Sequence, residues 1–492
     1  MSNVVKHMEL RRGKAVGMAV FLCLAIVAGF VLSAPSAHAQ TATFDVADGD
    51  WDQDSNWDTA QFPNDPSDIA IIPRRTPISP EVTLNTSVAL SSLQFPNAAS
   101  TVTLQVSNSS TFTIYSSITS TISSASASIS PEVILPNDIT IEVSGSAFKY
   151  LEFRGGISGS GGIIKSGPGR LRLTNVQSTY SGTTYINEGS VEVGSYDPLL
   201  SLNSPIVLAN ASGVFLNVQT DQTIPSLSGG GPLGGDVHLG PGPFIPANLT
   251  VGDATDTTFA GVISLWGNVV KQGSGKLTLT GDNTYTGTTT VAAGTLAVNG
   301  SIGGMTTTVN SGAKLQGVGS LTDVEVEGAL AAGNSIGVIN GDSFTFADGS
   351  TLENELDTSG NSDLLNATTS VTIEPGATLK IMPTAGTYPI GQKFIIISAP
   401  TVTGTFSNVI NTLDGVHFRV NYYADRVELE VIPASVDPLP AAASVTSPQT
   451  GFGTPSSPNL LLPLIVVASV AFIAIGSLII SSQRSRNGKA KT

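Results

Sequence analysis

The side chains able to do chemistry in this 492-residue chain are few and scattered. Asp48, Asp50, Asp52 and Asp54 crowd one short stretch, and clustered carboxylate oxygens are what a hard cation such as calcium takes. The spacing departs from a calcium-binding loop, with no glycine at the sixth position and no glutamate at the twelfth, so a solvated acidic turn is the plainer reading. Glu353 with Glu355, or Asp357 with Asp363, could form the carboxylate pair that glycoside or polysaccharide cleavage needs. Strand alternation, however, puts Glu353 and Glu355 side by side on one solvent face. Beyond residue 39 the histidines are His238 and His417 and there is no cysteine, which excludes a Cys-His pair and leaves a histidine metal site hard to assemble. The glycine-rich run at 229–235 opens no helix and ends without Lys-Ser/Thr, so it reads as a turn and not as a phosphate cradle. Trp266, Tyr422 and Tyr423 could stack on sugars, although isolated aromatics in β proteins more often cover a core edge. No cofactor motif is present, and no catalytic residue is assigned.

The elements that would have to position these groups are short strands. KSGPGRLRLTNVQSTYSGTTYINEGSVEV at 165–193 returns as KQGSGKLTLTGDNTYTGTTTVAAGTLAV at 271–298 with one residue lost in a turn. The turn glycines Gly167, Gly169, Gly182 and Gly189 answer Gly273, Gly275, Gly287 and Gly294. Leu171, Leu173, Val191 and Val193 answer Leu277, Leu279, Leu296 and Val298, alternating with polar residues as strand positions facing a core do. Each strand is too short to stand alone. Stacking successive coils in parallel pairs every backbone with the next and aligns the inward Leu, Val and Ile, so the expected fold is an all-β parallel β-solenoid of coils of about 20 residues over 41–432. Within it, residues 40–150 form an N-terminal cap and first coils, 151–302 the region with the two repeat units (155–194 and 261–299), and 303–432 the last coils. Trp51 and Trp57 are placed to cover the open end, where unpaired strand edges and a core face would otherwise be bare.

Composition agrees: 12% charged residues, 6% aromatic and 52 glycines suit strands and turns. Both ends are basic, leaving 36 acidic against 14 basic side chains between residues 40 and 483, which disfavours nucleic acid and anionic membranes as partners. The N-terminus reads as an export signal over 1–39: Lys6, Arg11, Arg12 and Lys14, then an apolar run at 16–32, then Ala37-His38-Ala39 as a small-x-small cleavage site. Removal of that segment takes Cys23 with it, so no disulfide framework is expected.

The second unit, GSGKLTLTGDNTYTGTTTVAAGTLAV, resembles the autotransporter-associated β-strand repeat of large bacterial surface proteins. Segments within 309–409, among them VNSGAKLQGVGSL, ALAAGNSIGVI and GTYPIGQKFIIISAPTVTGTF, are similar to the end of autotransporter passenger domains. The resemblance implies a surface-exposed solenoid, and with the crossover preference of parallel strands it implies a right-handed one. Autotransporters finish with a membrane β-barrel of a few hundred residues, whereas 80 residues follow Thr412 here, so a passenger-like solenoid without that barrel is expected.

In the barrel's place stand a Pro/Ser/Thr-rich tether at 433–459, an apolar run of 21 residues at 460–480 long enough to cross a bilayer as a helix, and a basic tail at 481–492 carrying Arg484, Arg486, Lys489 and Lys491. The positive-inside rule keeps the tail cytoplasmic and the solenoid outside. Ser447-Pro448-Gln449-Thr450-Gly451 is similar to the Leu-Pro-x-Thr-Gly signal of sortase substrates, with Ser447 in place of leucine and a spacer before the apolar run. Sortase processing and a plain membrane anchor are both open at this point. The functions the sequence allows are a non-catalytic adhesin or display rod, a carbohydrate-binding surface module, or an anchored polysaccharide lyase or glycosidase, with surface polysaccharide or a ligand on a host or neighbouring cell as the partner.

Overall fold

The computed structural model describes residues 39–434, apart from 74–79, 97–101, 107, 122–125, 146–148, 175–177 and 195–202. The export signal as far as His38, the sortase-like motif, the apolar run and the basic tail lie outside the described residues, and Ala39 is exposed at their edge. Among the described residues no helix is long and apolar enough to cross a membrane.

The chain winds as a parallel β-solenoid whose walls are sheets of 19, 10 and 12 strands. From residue 236 the walls are visited in a fixed cycle: Asp236–Leu239 in the 10-stranded wall, Ala247–Val251 in the 12-stranded wall, Thr257–Phe259 in the 19-stranded wall, then Ile263–Leu265, Gly267–Lys271 and Lys276–Leu279 in the same order. Coils pair in register, so that Leu277 meets Thr257 on one side and Leu296 on the other, 20 and 19 residues away. Coil length is not constant. Lys314 pairs with Ala329 after 15 residues, whereas Thr378 pairs with Asn408 after 30, because surface loops absorb the difference while the strands stay aligned.

Alternation sends every second side chain inward, and one continuous core runs from Ala42 to Val431. The parallel ladder leaves two ends to be closed. At the N-terminal end Trp51 is fully buried against Trp57 (4.7 Å between ring centroids) and Phe112 (5.1 Å), and the Trp51 and Trp57 indole N–H groups donate to the carbonyls of Pro63 and Trp51. At the other end the pairing turns antiparallel: Arg426–Ile432 lies between Lys393–Ser398 and His417–Tyr422, and Tyr388, Phe394 and Phe418 meet edge to face beneath it.

The two repeat units do not occupy the same walls. In the first, Ile163–Ser166 lies in the 19-stranded wall and Arg170–Leu173 in the 10-stranded one. In the second, the equivalent Gly267–Lys271 lies in the 12-stranded wall and Lys276–Leu279 in the 19-stranded one. The chain has advanced by one wall. The change falls where Leu227–Gly229 and Thr257–Phe259 touch through a single register pair, Gly229 with Phe259, across a coil 30 residues long.

If Trp51 is the plug of the N-terminal end, Trp51→Ala should cost about 3–5 kcal/mol locally. Because coils in a repeat stack depend on their neighbours, hydrogen exchange should quicken first in residues 41–95 and leave 289–332 protected. A uniform rise in exchange along the solenoid would contradict the assignment.

Candidate functional site

The residues identical or equivalent in the two units are consumed by the fold. Leu171, Leu173, Val191 and Val193, with Leu277, Leu279, Leu296 and Val298, are all buried. Gly167, Gly189, Gly273 and Gly294 have positive φ, between 64° and 73°, a region costly for residues with a Cβ. Gly169, Gly182, Gly275 and Gly287 serve close approach instead: a Cβ on Gly287 would stand 2.2 Å from the Gly267 carbonyl oxygen of the preceding coil.

Lys165 and Lys271, which open the two repeats, have a role the alternation conceals. Both point into the core and are 0% and 1% exposed. The Lys165 ammonium donates to the carbonyls of Ser166 (2.7 Å), Gly167 (2.7 Å) and, one coil on, Glu188 (3.1 Å). Lys271 does the same with Gln272 (2.6 Å), Gly273 (3.0 Å) and Ala293 (3.1 Å). All three ammonium donors are used, and each lysine clips its own turn to the next. Burial pulls Lys165 down to about 8, against the attraction of Glu188 and Glu142. The signal was in the sequence: both lysines sit on the inward parity of Ile-Ile-Lys and Val-Val-Lys, at the same repeat position.

The remaining polar groups form outward ladders. On the 10-stranded wall, Glu152, Arg172, Glu192, Asn217, His238 and Ser264 follow one another coil by coil. Glu192 receives Arg170 at 2.6 Å and Arg172 at 2.8 Å, and the Arg172 guanidinium lies 4.6 Å from the Tyr150 ring centroid. His238 stacks on Phe215 at 5.0 Å, and burial holds its imidazole below the ordinary value against the pull of Asp236. The Ser264 hydroxyl beside it donates to the Val237 carbonyl at 3.5 Å. Among the described residues neither His238 nor His417 is hydrogen-bonded to a serine or a carboxylate.

The candidate carboxylates are likewise occupied. Glu353 is not merely solvated, because Lys314 (2.7 Å) and Lys380 (2.8 Å) flank it across coils. Burial alone would push its carboxyl up, but the two lysines outweigh this and hold it below the usual carboxylate range. Asp357 folds its own loop, accepting from the Ser359 and Asn361 amides at 2.9 Å each. Asp363 is 1% exposed and accepts from the Gly337 (2.9 Å) and Glu355 (2.8 Å) amides, yet desolvation, with Glu355 adding to it, pushes it up to about 7. At the N-terminal end Asp48, Asp52 and Asp54 turn to different donors, the Glu81 amide, the Asn85 side chain and the Phe62 amide. Among the described residues no group of three or more His, Cys, Asp or Glu is placed to hold a metal ion. Gly231 and Gly234 bridge to close the glycine-rich run as a tight excursion, Trp266 is half-buried at a corner, the Tyr422 hydroxyl accepts from the Phe406 amide, and Arg426 covers the Tyr423 ring at 4.0 Å.

Two measurements follow from these buried charges. Lys271→Met keeps the side chain's bulk but strands three carbonyls, so chemical denaturation should show a loss of about 3 kcal/mol; a loss below about 0.5 kcal/mol would remove the lysine clip from the account. Asp363 has a folded pKa near 7 against an ordinary 3.8, so its contribution is fully present below about pH 4 and is lost as pH rises through 7. The denaturation midpoint should therefore fall between pH 5 and pH 8, by up to about 4 kcal/mol in stability, and this fall should flatten in Asp363→Asn. An equal slope in the variant would assign the pH dependence to other groups.

Residues 163–193 and 269–298 match the passenger-associated-transport-repeat family. The adhesin BmaC autotransporter of Brucella suis biovar 1 (strain 1330) is 36% identical over 204 residues, 38% of this chain and 6% of that protein. The extracellular serine protease of Serratia marcescens is 30% identical over 213 residues, 40% of this chain and 20% of that protein. The chain therefore shares only a small part of the length of either relative. With two such repeats set in a parallel β-solenoid, the chain belongs to the passenger-repeat proteins of the autotransporter kind.

Proposed function

We propose that this chain is an exported, non-catalytic surface adhesin or display rod, held outside the cell through its C-terminal segment. The observation that carries the reading is that every position shared by the repeats stacks a core, turns a corner or clips two coils, while the polar groups left over lie as ladders on the outer faces. Such a surface can bind but offers no activated nucleophile. The adhesin among the relatives supports this reading, and its surface location supports export. The protease among the relatives favours a catalytic alternative, against which stand the stacking of His238 on Phe215 and the use of the Ser264 hydroxyl on a backbone carbonyl. The likeness to both is then a likeness of rods. Retention by a sortase and retention by the apolar run at 460–480 give the same display.

Cells expressing the full chain should adhere to host or neighbouring cells at least several-fold better than cells lacking it. The purified chain should turn over neither peptides nor polysaccharides. Steady cleavage of either substrate, abolished by His238→Ala, would replace the adhesin reading with an enzymatic one.

A further inference from the structure

The outer face of the 12-stranded wall differs from the others in being nearly free of charge pairs and built of hydroxyls. Thr250, Thr290, Thr308, Thr345, Thr372 and Thr403 stand in one column, each the register partner of the column residue in the next coil, with only Val270 and Glu325 interposed. Two residues earlier on the same strands a second column repeats the theme, for example at Thr306, Ser343 and Thr401, broken by Asp323. Both columns face outward by the alternation of buried and accessible positions. Among the described residues the Thr250, Thr290, Thr308 and Thr345 hydroxyls make no hydrogen bond within the protein.

We propose that this wall binds a neutral, extended polysaccharide lying along the solenoid axis; this rests on the reading of the ectodomain as a binding rod and names the face and the ligand class. Successive coils are about 4.8 Å apart, close to the rise of one pyranose unit in a fully extended chain, so hydroxyls one coil apart can meet hydroxyls one sugar apart. A single hydroxyl contact gains little over the water it displaces, so an isolated sugar is not held. A polymer that keeps step with the column makes many such contacts at the entropic cost of binding once. The columns carry no Lys or Arg, and their interruptions Asp323 and Glu325 are acidic, which selects against uronate or sulfate polymers. With no aromatic residue in the columns, contact is through the sugars' hydroxyl edges and not their faces.

The test is adsorption of the full-length purified chain to microcrystalline cellulose as the neutral extended polymer, with alginate as the anionic control and Thr290→Asp/Thr308→Asp as the column variant. The expected result is adsorption to cellulose with at least a tenfold loss in the variant, no change in Thr278→Asp on the 19-stranded wall, and no binding of alginate. Should the aspartate variant fail to fold by circular dichroism, Thr290→Val/Thr308→Val removes the hydroxyls alone and should lose at least threefold. Adhesion to cells that survives the column variants, without adsorption to cellulose, would overturn this proposal and leave the adhesin reading standing. Absence of both cell adhesion and polysaccharide adsorption in the unaltered chain would sink both. Self-association in sedimentation that the column variants abolish would overturn it in favour of a second copy as the occupant of the wall.

Discussion

Everything in this molecule depends on the parallel pairing of one coil's backbone with the next. No strand here is long enough to be stable by itself, and the peptide groups of each find their partners only in the coils above and below. That constraint fixes what may vary. A strand position must keep its parity and its register, since a slip of one residue would turn the core outward, whereas a loop between strands can take any length that returns the chain to the next wall. The range from 15 to 30 residues per coil is the direct expression of this freedom.

The same pairing explains where the unusual residues stand. A stack of parallel strands has corners, where carbonyls point inward with no strand partner, and ends, where an edge and a core face are left bare. Lys165 and Lys271 meet the first need by placing a cation where three carbonyls converge. The interlocked tryptophans at one end and the antiparallel strands at the other meet the second. Charge inside this protein thus serves the backbone's polar groups and not a reaction.

Much of this was legible in the residues. The paired Leu and Val of the two repeats and the recurring glycines gave the solenoid, because alternation of period two and tight turns admit little else. Trp51 and Trp57 could be placed at an end from their type alone. The lysine clips were visible as an alignment but not as a function, since a lysine at a strand end is ordinarily read as solvated. Coil length was misjudged as uniform because the clearest repeats are also the most regular coils. Glu353 looked free for want of its lysines, which lie 39 and 27 residues away along the chain and become neighbours only through stacking. The advance by one wall between the repeats had no trace in the pattern, as all three walls obey the same alternation.

That advance has a consequence for how such a protein can evolve. Two segments descended from one duplicated unit present their outer residues to different compass bearings around the rod, although their inner residues are interchangeable. A substitution copied from one to the other would leave the core content and yet move a surface feature to another side of the molecule. Duplication followed by a loop insertion is therefore enough to give a monotonous sequence several distinct sides, each open to separate selection, without altering a single buried contact type.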